Sequence, residues 1–114
     1  MDDDPGFRAI AAQLLRLAGH EVVGEAASAE EAIAAAARLT PTGVLLDVHL
    51  PDRNGISVAV ALAAGACPPR VLLVSAEPDT VSPDAVTSCK AVAFIAKTEL
   101  ATADLRSLLD SGQP

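Results

Sequence analysis

The sequence predicts an α/β fold, a parallel sheet with helices on both faces. Three observations carry that expectation. Val44, Leu45 and Leu46, and later Val71, Leu72, Leu73 and Val74, are unbroken apolar runs of strand length. Such runs suit parallel strands covered on both sides. The segments between them show apolar residues at helical spacing, so strands and helices alternate along the chain. Three of the apolar runs also end on polar residues, Asp47, Ser75 and Lys97, and parallel strands would gather these at one edge.

Length and composition bound the rest. With 114 residues the chain can build one domain with a real core but not two. Apolar residues make up 51%, which excludes a disordered protein. Aromatics are only 2%, Phe7 and Phe94, so the core is Val, Leu, Ile and Ala, with slim helices close to the sheet. A net charge of −7, a pI near 4.5 and no basic run argue against a nucleic-acid surface. Cys67 and Cys89 lack metal-type spacing and fit idle thiols in a reducing compartment. No signal peptide, membrane-spanning run or lipidation motif is present, so a cytoplasmic protein without a membrane partner is expected.

The elements follow in order. After the acidic start Met1, Asp2, Asp3, Asp4, Pro5 opens a helix. Phe7, Ile10, Ala11, Leu14, Leu15 and Ala18 form its apolar face, and Gly19 closes it. Residues 21–26, with Val22 and Val23, read as a short strand. Ser28 and Glu31 make a capping-box pair for an Ala-rich helix running to Leu39. Residues 43–47 form the next strand, and Pro51 and Asn54-Gly55 break the loop after it. Helices are expected over residues 56–64 and, capped by Ser82, over 83–89. Strands are expected over 70–75 and 91–95. A last helix covers 102–109, with Leu105, Leu108 and Leu109 inward, and residues 111–114 form a tail.

The acid pair Asp2 and Asp3 precedes the first helix and would lie at the same edge as Asp47. Crowded carboxylates repel, and a hard divalent cation relieves that repulsion. Mg²⁺ suits a few carboxylates together with phosphoryl oxygens. At this point the sequence resembles the receiver domain of two-component response regulators. The resemblance rests on Asp2-Asp3-Asp4-Pro5, on Leu45-Leu46-Asp47 with Leu50-Pro51 and Gly55, on Ser75-Ala76, and on Phe94-Ile95-Ala96-Lys97. It covers nearly the whole chain.

The resemblance implies a flavodoxin-like, doubly wound parallel sheet of order 2-1-3-4-5 and a receiver domain over residues 1–110. It implies that Asp47 accepts a phosphoryl group from a sensor histidine kinase or phosphotransfer protein. Asp2, Asp3, Asp47 and the backbone carbonyl of His49 would hold Mg²⁺. Ser75 and Lys97 would contact the phosphoryl oxygens. Phe94 fits either an aromatic switch coupled to Ser75 or a plain core residue. Output would go through contact with a further protein, because no DNA-binding module is present.

Two rival readings remain beside this one. The first is a degenerate receiver that acts as an interaction module without phosphorylation. The second is an Asp-nucleophile phosphatase, although His49 stands where such enzymes want a second acid. The sequence departs from the family in having only Met1 ahead of the acid pair, where an apolar first strand is usual. The expectation is a chain truncated at the start codon, with the natural protein beginning upstream. The sheet should then show a gap or distorted pairing between its second and third strands, with the order three-four-five intact. The free amine of Met1 should compete with Mg²⁺ for the acids.

Overall fold

The computed structural model describes residues 1–109. Helix α1 (Pro5–Leu17) starts where Asp4 accepts the N–H groups of Gly6 and Phe7, and Pro5 fills the first helical position. It ends at Gly19, whose φ of +96° is the left-handed conformation that glycine adopts freely. In helix α2 (Ala29–Leu39), Ser28 Oγ accepts the Glu31 N–H at 3.2 Å. Glu31 reaches back to the Ala27 N–H at 3.1 Å, one residue earlier than the reciprocal capping box. Helices α3 (Gly55–Ala63), α4 (Pro83–Ser88) and α5 (Leu105–Leu109) complete the set.

The sheet contains β1 (Gly43–Asp47), β2 (Arg70–Ser75) and β3 (Ala93–Ala96), all parallel, in the order β1-β2-β3. Alternation along the strands divides the core in two. Val44, Leu46, Val71 and Leu73 pack with α2 and α3 on one face. Leu45, Leu72 and Val74 pack with Ala11, Leu105 and Leu109 on the other. Both faces are thus covered, as the continuous apolar runs required. Cys89 is buried in the first cluster, whereas Cys67, in the turn before β2, is exposed.

Four expectations need correction. Residues 21–26 form no strand, although Val22 and Val23 favour one. A strand exists only against a partner, and the Ala26 carbonyl, which accepts the Asp2 N–H, is where these residues meet the segment beside β1. Helix α5 begins at Leu105 rather than Thr102. A 3-10 segment, Lys97–Thr102, takes up the intervening chain, and Asp104 accepts the Ser107 N–H at the start of α5. The last strand is shifted to Ala93–Ala96. Ile10 is 57% exposed, on the flank of α1, while Ala12 is buried in its place. The expected tail, residues 111–114, lies outside the described residues.

The expected gap is present. Met1 and Asp2 bridge its upper end: the Met1 amine donates to Leu45 O, Asp47 N–H donates to Met1 O, and Asp2 N–H donates to Ala26 O, all at 2.9 Å. Below this bridge lies an open cleft of about 410 Å³ between residues 20–25 and β1. Ala12, Leu15, Val22, Leu39 and Leu45 are among its lining residues. The order β1-β2-β3 is intact, matching the expected three-four-five. No described helix is long and apolar enough to cross a membrane.

Candidate functional site at the carboxyl edge of the sheet

Asp47 is the last residue of β1 and only 3% exposed. The chain turns tightly after it. Val48 N–H donates to Val74 O, Gly55 N–H donates to Val48 O, and an isolated bridge joins His49 to Asn54. Gly55 sits so close beneath this loop that a Cβ there would fall on the Asp47 carbonyl oxygen and the Val48 Cα. Asn54 accepts the Ile56 N–H at 2.7 Å and so starts α3 as the loop ends.

The Asp47 carboxylate accepts the His49 N–H on Oδ1 at 3.0 Å and faces Lys97 Nζ on Oδ2 at 3.3 Å. Burial raises its pKa above the usual carboxylate value, and the negative Asp2 adds to the rise. The His49 N–H and the Lys97 charge oppose that rise without cancelling it. Lys97 follows β3 directly. Burial pulls its pKa down, but the contact with Asp2 and the charges of Asp47 and Asp2 outweigh this, so it stays above the ordinary lysine value.

Asp2 comes from the bridge across the gap and is also 3% exposed. Its Oδ1 accepts the Asp4 N–H, and its backbone carbonyl accepts from Arg8 Nη1 at 2.7 Å. Its Oδ2 lies 2.6 Å from Lys97 Nζ. At that distance the two form a close ion pair, the same contact that raises the Lys97 pKa. Carboxylate oxygens of Asp2, Asp3 and Asp47 all lie within 4.8 Å of one another, with Asp3 at the exposed side. Three carboxylates this close, two of them buried and sharing Lys97 as counter-charge, fit a hard, oxygen-seeking divalent cation.

The other expected residues fall as follows. Ser75 ends β2 and is fully buried, and its Oγ accepts the Glu77 N–H at 2.9 Å. The register places Asp47 beside Val74 and Ser75 beside Ala96, so Asp47, Ser75 and Lys97 do share the edge. Phe94 is half-buried on β3 beside Leu73 and packs against the α2/α3 cluster. The His49 side chain is exposed and pairs with Thr80 Oγ1 at 3.3 Å, so only its backbone touches Asp47. The Met1 amine bonds the Leu45 carbonyl rather than an acid side chain, which corrects the expected competition for the cluster. Desolvation holds that amine below its ordinary pKa.

Two contacts were not foreseen. Asp52, in the loop after β1, accepts the Ala29 N–H at 2.7 Å and the Glu30 N–H at 3.1 Å, and so caps α2 from 23 residues away. These backbone donors, Ala29 first, hold its carboxyl below the usual range. Phe7 places its ring under Lys97, with Nζ 4.4 Å from the centroid. Asp52 carried only a weak signal, an acid beside Pro51, and Phe7 read simply as an apolar-face residue.

A parallel α/β sheet carrying a buried aspartate, two neighbouring acids and a lysine at its carboxyl edge defines a class of site, and comparison with known proteins gives the family. The family model for the response regulator receiver domain matches residues 1–110. The transcriptional regulatory protein PdtaR of Mycobacterium tuberculosis is 36% identical over 74 residues, which is 65% of this chain and 36% of PdtaR. The signal receiver domain of the response regulator NarL from the same organism is 34% identical, with a TM-score of 0.77 over 94% of this chain and 90% of that one. The response regulator TrrA from Thermotoga maritima, solved in complex with Mg²⁺ and BeF, superposes with a TM-score of 0.73 at 23% identity over 83% of this chain and 80% of that one. The chain therefore belongs to the response regulator receiver domain family of two-component systems and has its CheY-like α/β fold. It spans 36% of PdtaR and 51% of full-length NarL.

Proposed function

We propose that this chain is a phosphoacceptor signalling domain in which Asp47 takes a phosphoryl group from a phosphohistidine. One observation carries the reading: three carboxylates lie within 4.8 Å of one another at the carboxyl edge of a parallel sheet, and two of them, Asp2 and Asp47, are buried and share the Lys97 ammonium. Asp2, Asp3 and Asp47, with the His49 carbonyl, would hold the divalent cation, Mg²⁺ by the family's chemistry. Bound there, Mg²⁺ would offset the repulsion between carboxylate and phosphoryl oxygens.

The transfer balances simply. An Asp47 carboxylate oxygen forms a bond to phosphorus as the P–N bond to the histidine breaks. The imidazole nitrogen keeps that electron pair and takes a proton from solvent. Lys97 neutralises the charge that arrives, and the Ser75 hydroxyl, whose oxygen accepts the Glu77 N–H, has its proton to donate to a phosphoryl oxygen. Burial of Asp47 works against its ionisation, so Lys97 and the cation also keep it a carboxylate able to attack. A Ser75 shift is the movement that Phe94 would answer as a switch. Partners are then a cytoplasmic sensor kinase or phosphotransfer protein and a downstream protein.

The test is direct. A small-molecule phosphodonor with Mg²⁺ should label the wild-type protein, and Asp47→Asn should abolish the label. Label persisting in the Asn variant would remove Asp47 from the role. A wild-type protein that takes no label would instead support an unphosphorylated interaction module, and steady turnover of the donor would support a phosphatase.

A further inference from the structure

We infer that Phe7 is a positioning residue for Lys97, an inference that rests on the phosphoacceptor reading. The ammonium of Lys97 has three neighbours: Asp2 Oδ2 at 2.6 Å, Asp47 Oδ2 at 3.3 Å and the Phe7 ring at 4.4 Å from its centroid. The last distance is well inside the range of about 6 Å over which an aromatic face attracts a cation. The ring is itself fixed. Phe7 is the third residue of α1, its N–H is held by the Asp4 carboxylate, and its side chain packs against the α1/α5 core cluster.

The three neighbours are not equivalent when the site is loaded. A cation held by the acid cluster competes with Lys97 for the same Asp2 and Asp47 oxygens. Phosphorylation changes Asp47 again. The aromatic face is the one neighbour of the three that neither event occupies. A lysine ammonium is strongly hydrated and rides on a flexible stem. Released from both acids without another anchor, it would swing toward solvent. Phe7 keeps it over the edge of the sheet, where a phosphoryl group on Asp47 would arrive. The ring gives no proton and touches no reacting atom, so its part is to place Lys97.

Fluorination provides the test, because it drains the negative ring face while scarcely altering shape. Phe7 is replaced by 4-fluoro-, 3,5-difluoro- and 3,4,5-trifluorophenylalanine, with Phe7→Leu beside them. The readout is the dissociation constant for beryllofluoride in excess Mg²⁺, followed by the Ser75 amide resonance. The constant should rise stepwise along the series, by about threefold to tenfold for the trifluoro ring. Mg²⁺ affinity measured alone should not weaken. A constant that stays flat across the fluorinated rings, even if Phe7→Leu raises it, would reduce Phe7 to packing and overturn the inference. Wild-type protein that binds no beryllofluoride would overturn the phosphoacceptor reading itself, a failure visible before any variant is made.

Discussion

Asp47 owes its setting to a residue without a side chain. Gly55 lets the loop return beneath the Asp47 carbonyl, and no rotamer change could make room for a Cβ that meets backbone. Gly55→Ala should therefore cost about 1–3 kcal/mol, the range for forcing extra atoms into packed structure. It should also slow Asp47 labelling, and urea unfolding read beside a labelling time course would show both losses. Unchanged stability would mean that the loop yields more easily than its contacts suggest. The positions of Asp47, Ser75 and Lys97 were legible in the sequence, because each follows an apolar run and parallel strands align run ends. The ring of Phe7 was not legible. Apolar spacing tells which face of a helix turns inward, but it does not tell that a lysine 90 residues later will rest on that face.

Helix α2 depends on a neighbour's loop. Ser28 satisfies one orphan donor of its first turn, and Asp52 satisfies two more from the loop after β1. Asp52→Ala should lower the thermal midpoint, and the loss should depend on pH in one direction. The folded-state pKa of Asp52 is lowered, so its contribution is present in full above the unfolded value of about 3.9 and fades as pH falls through the folded value. Melting curves of wild type and Asp52→Ala should be well separated near neutrality and should converge in strong acid. A gap that persists in strong acid would mean that the carboxylate charge is not what holds α2. Local patterns told where α1, α2 and α4 begin, since Pro5 opens the first and Ser28 and Ser82 cap the other two. They failed for residues 21–26, where β-branched residues promise a strand that needs hydrogen-bond partners from elsewhere, and for α5, whose start is set by Asp104 after an unforeseen 3-10 segment.

At the scale of the whole molecule, the sheet has a core on both faces and an open seam on one side. Among the described residues Met1 and Asp2 bridge the seam, and it buries an ammonium that desolvation penalises. An apolar extension of about five residues before Met1 would span roughly 17 Å as a strand, turn that ammonium into a neutral amide and fill the cleft. Each apolar side chain fully buried there would contribute about 1.5–3 kcal/mol before the cost of ordering it. A Val-rich extension should raise stability and slow exchange of the Leu45 N–H, which faces the seam in phase with Asp47 N–H. A Gly-Ser extension of the same length should do neither. Equal effects from the two extensions would show that the cleft does not select a strand. The seam was legible in the sequence because no apolar run in these 114 residues is left to pair with β1 on that side. The register with which Met1 bridges it was not, since that depends on three hydrogen bonds made across the fold.

The unequal burial of the two thiols has a practical use. The protein contains neither Trp nor Tyr, so it is almost silent in near-ultraviolet absorbance and fluorescence. Cys67 is exposed in the turn that leads into β2, whereas Cys89 is enclosed in the core. A maleimide dye would therefore attach at a single point, at the end of the sheet opposite Asp47. From there it could report ligand arrival or unfolding optically without crowding the acidic cluster.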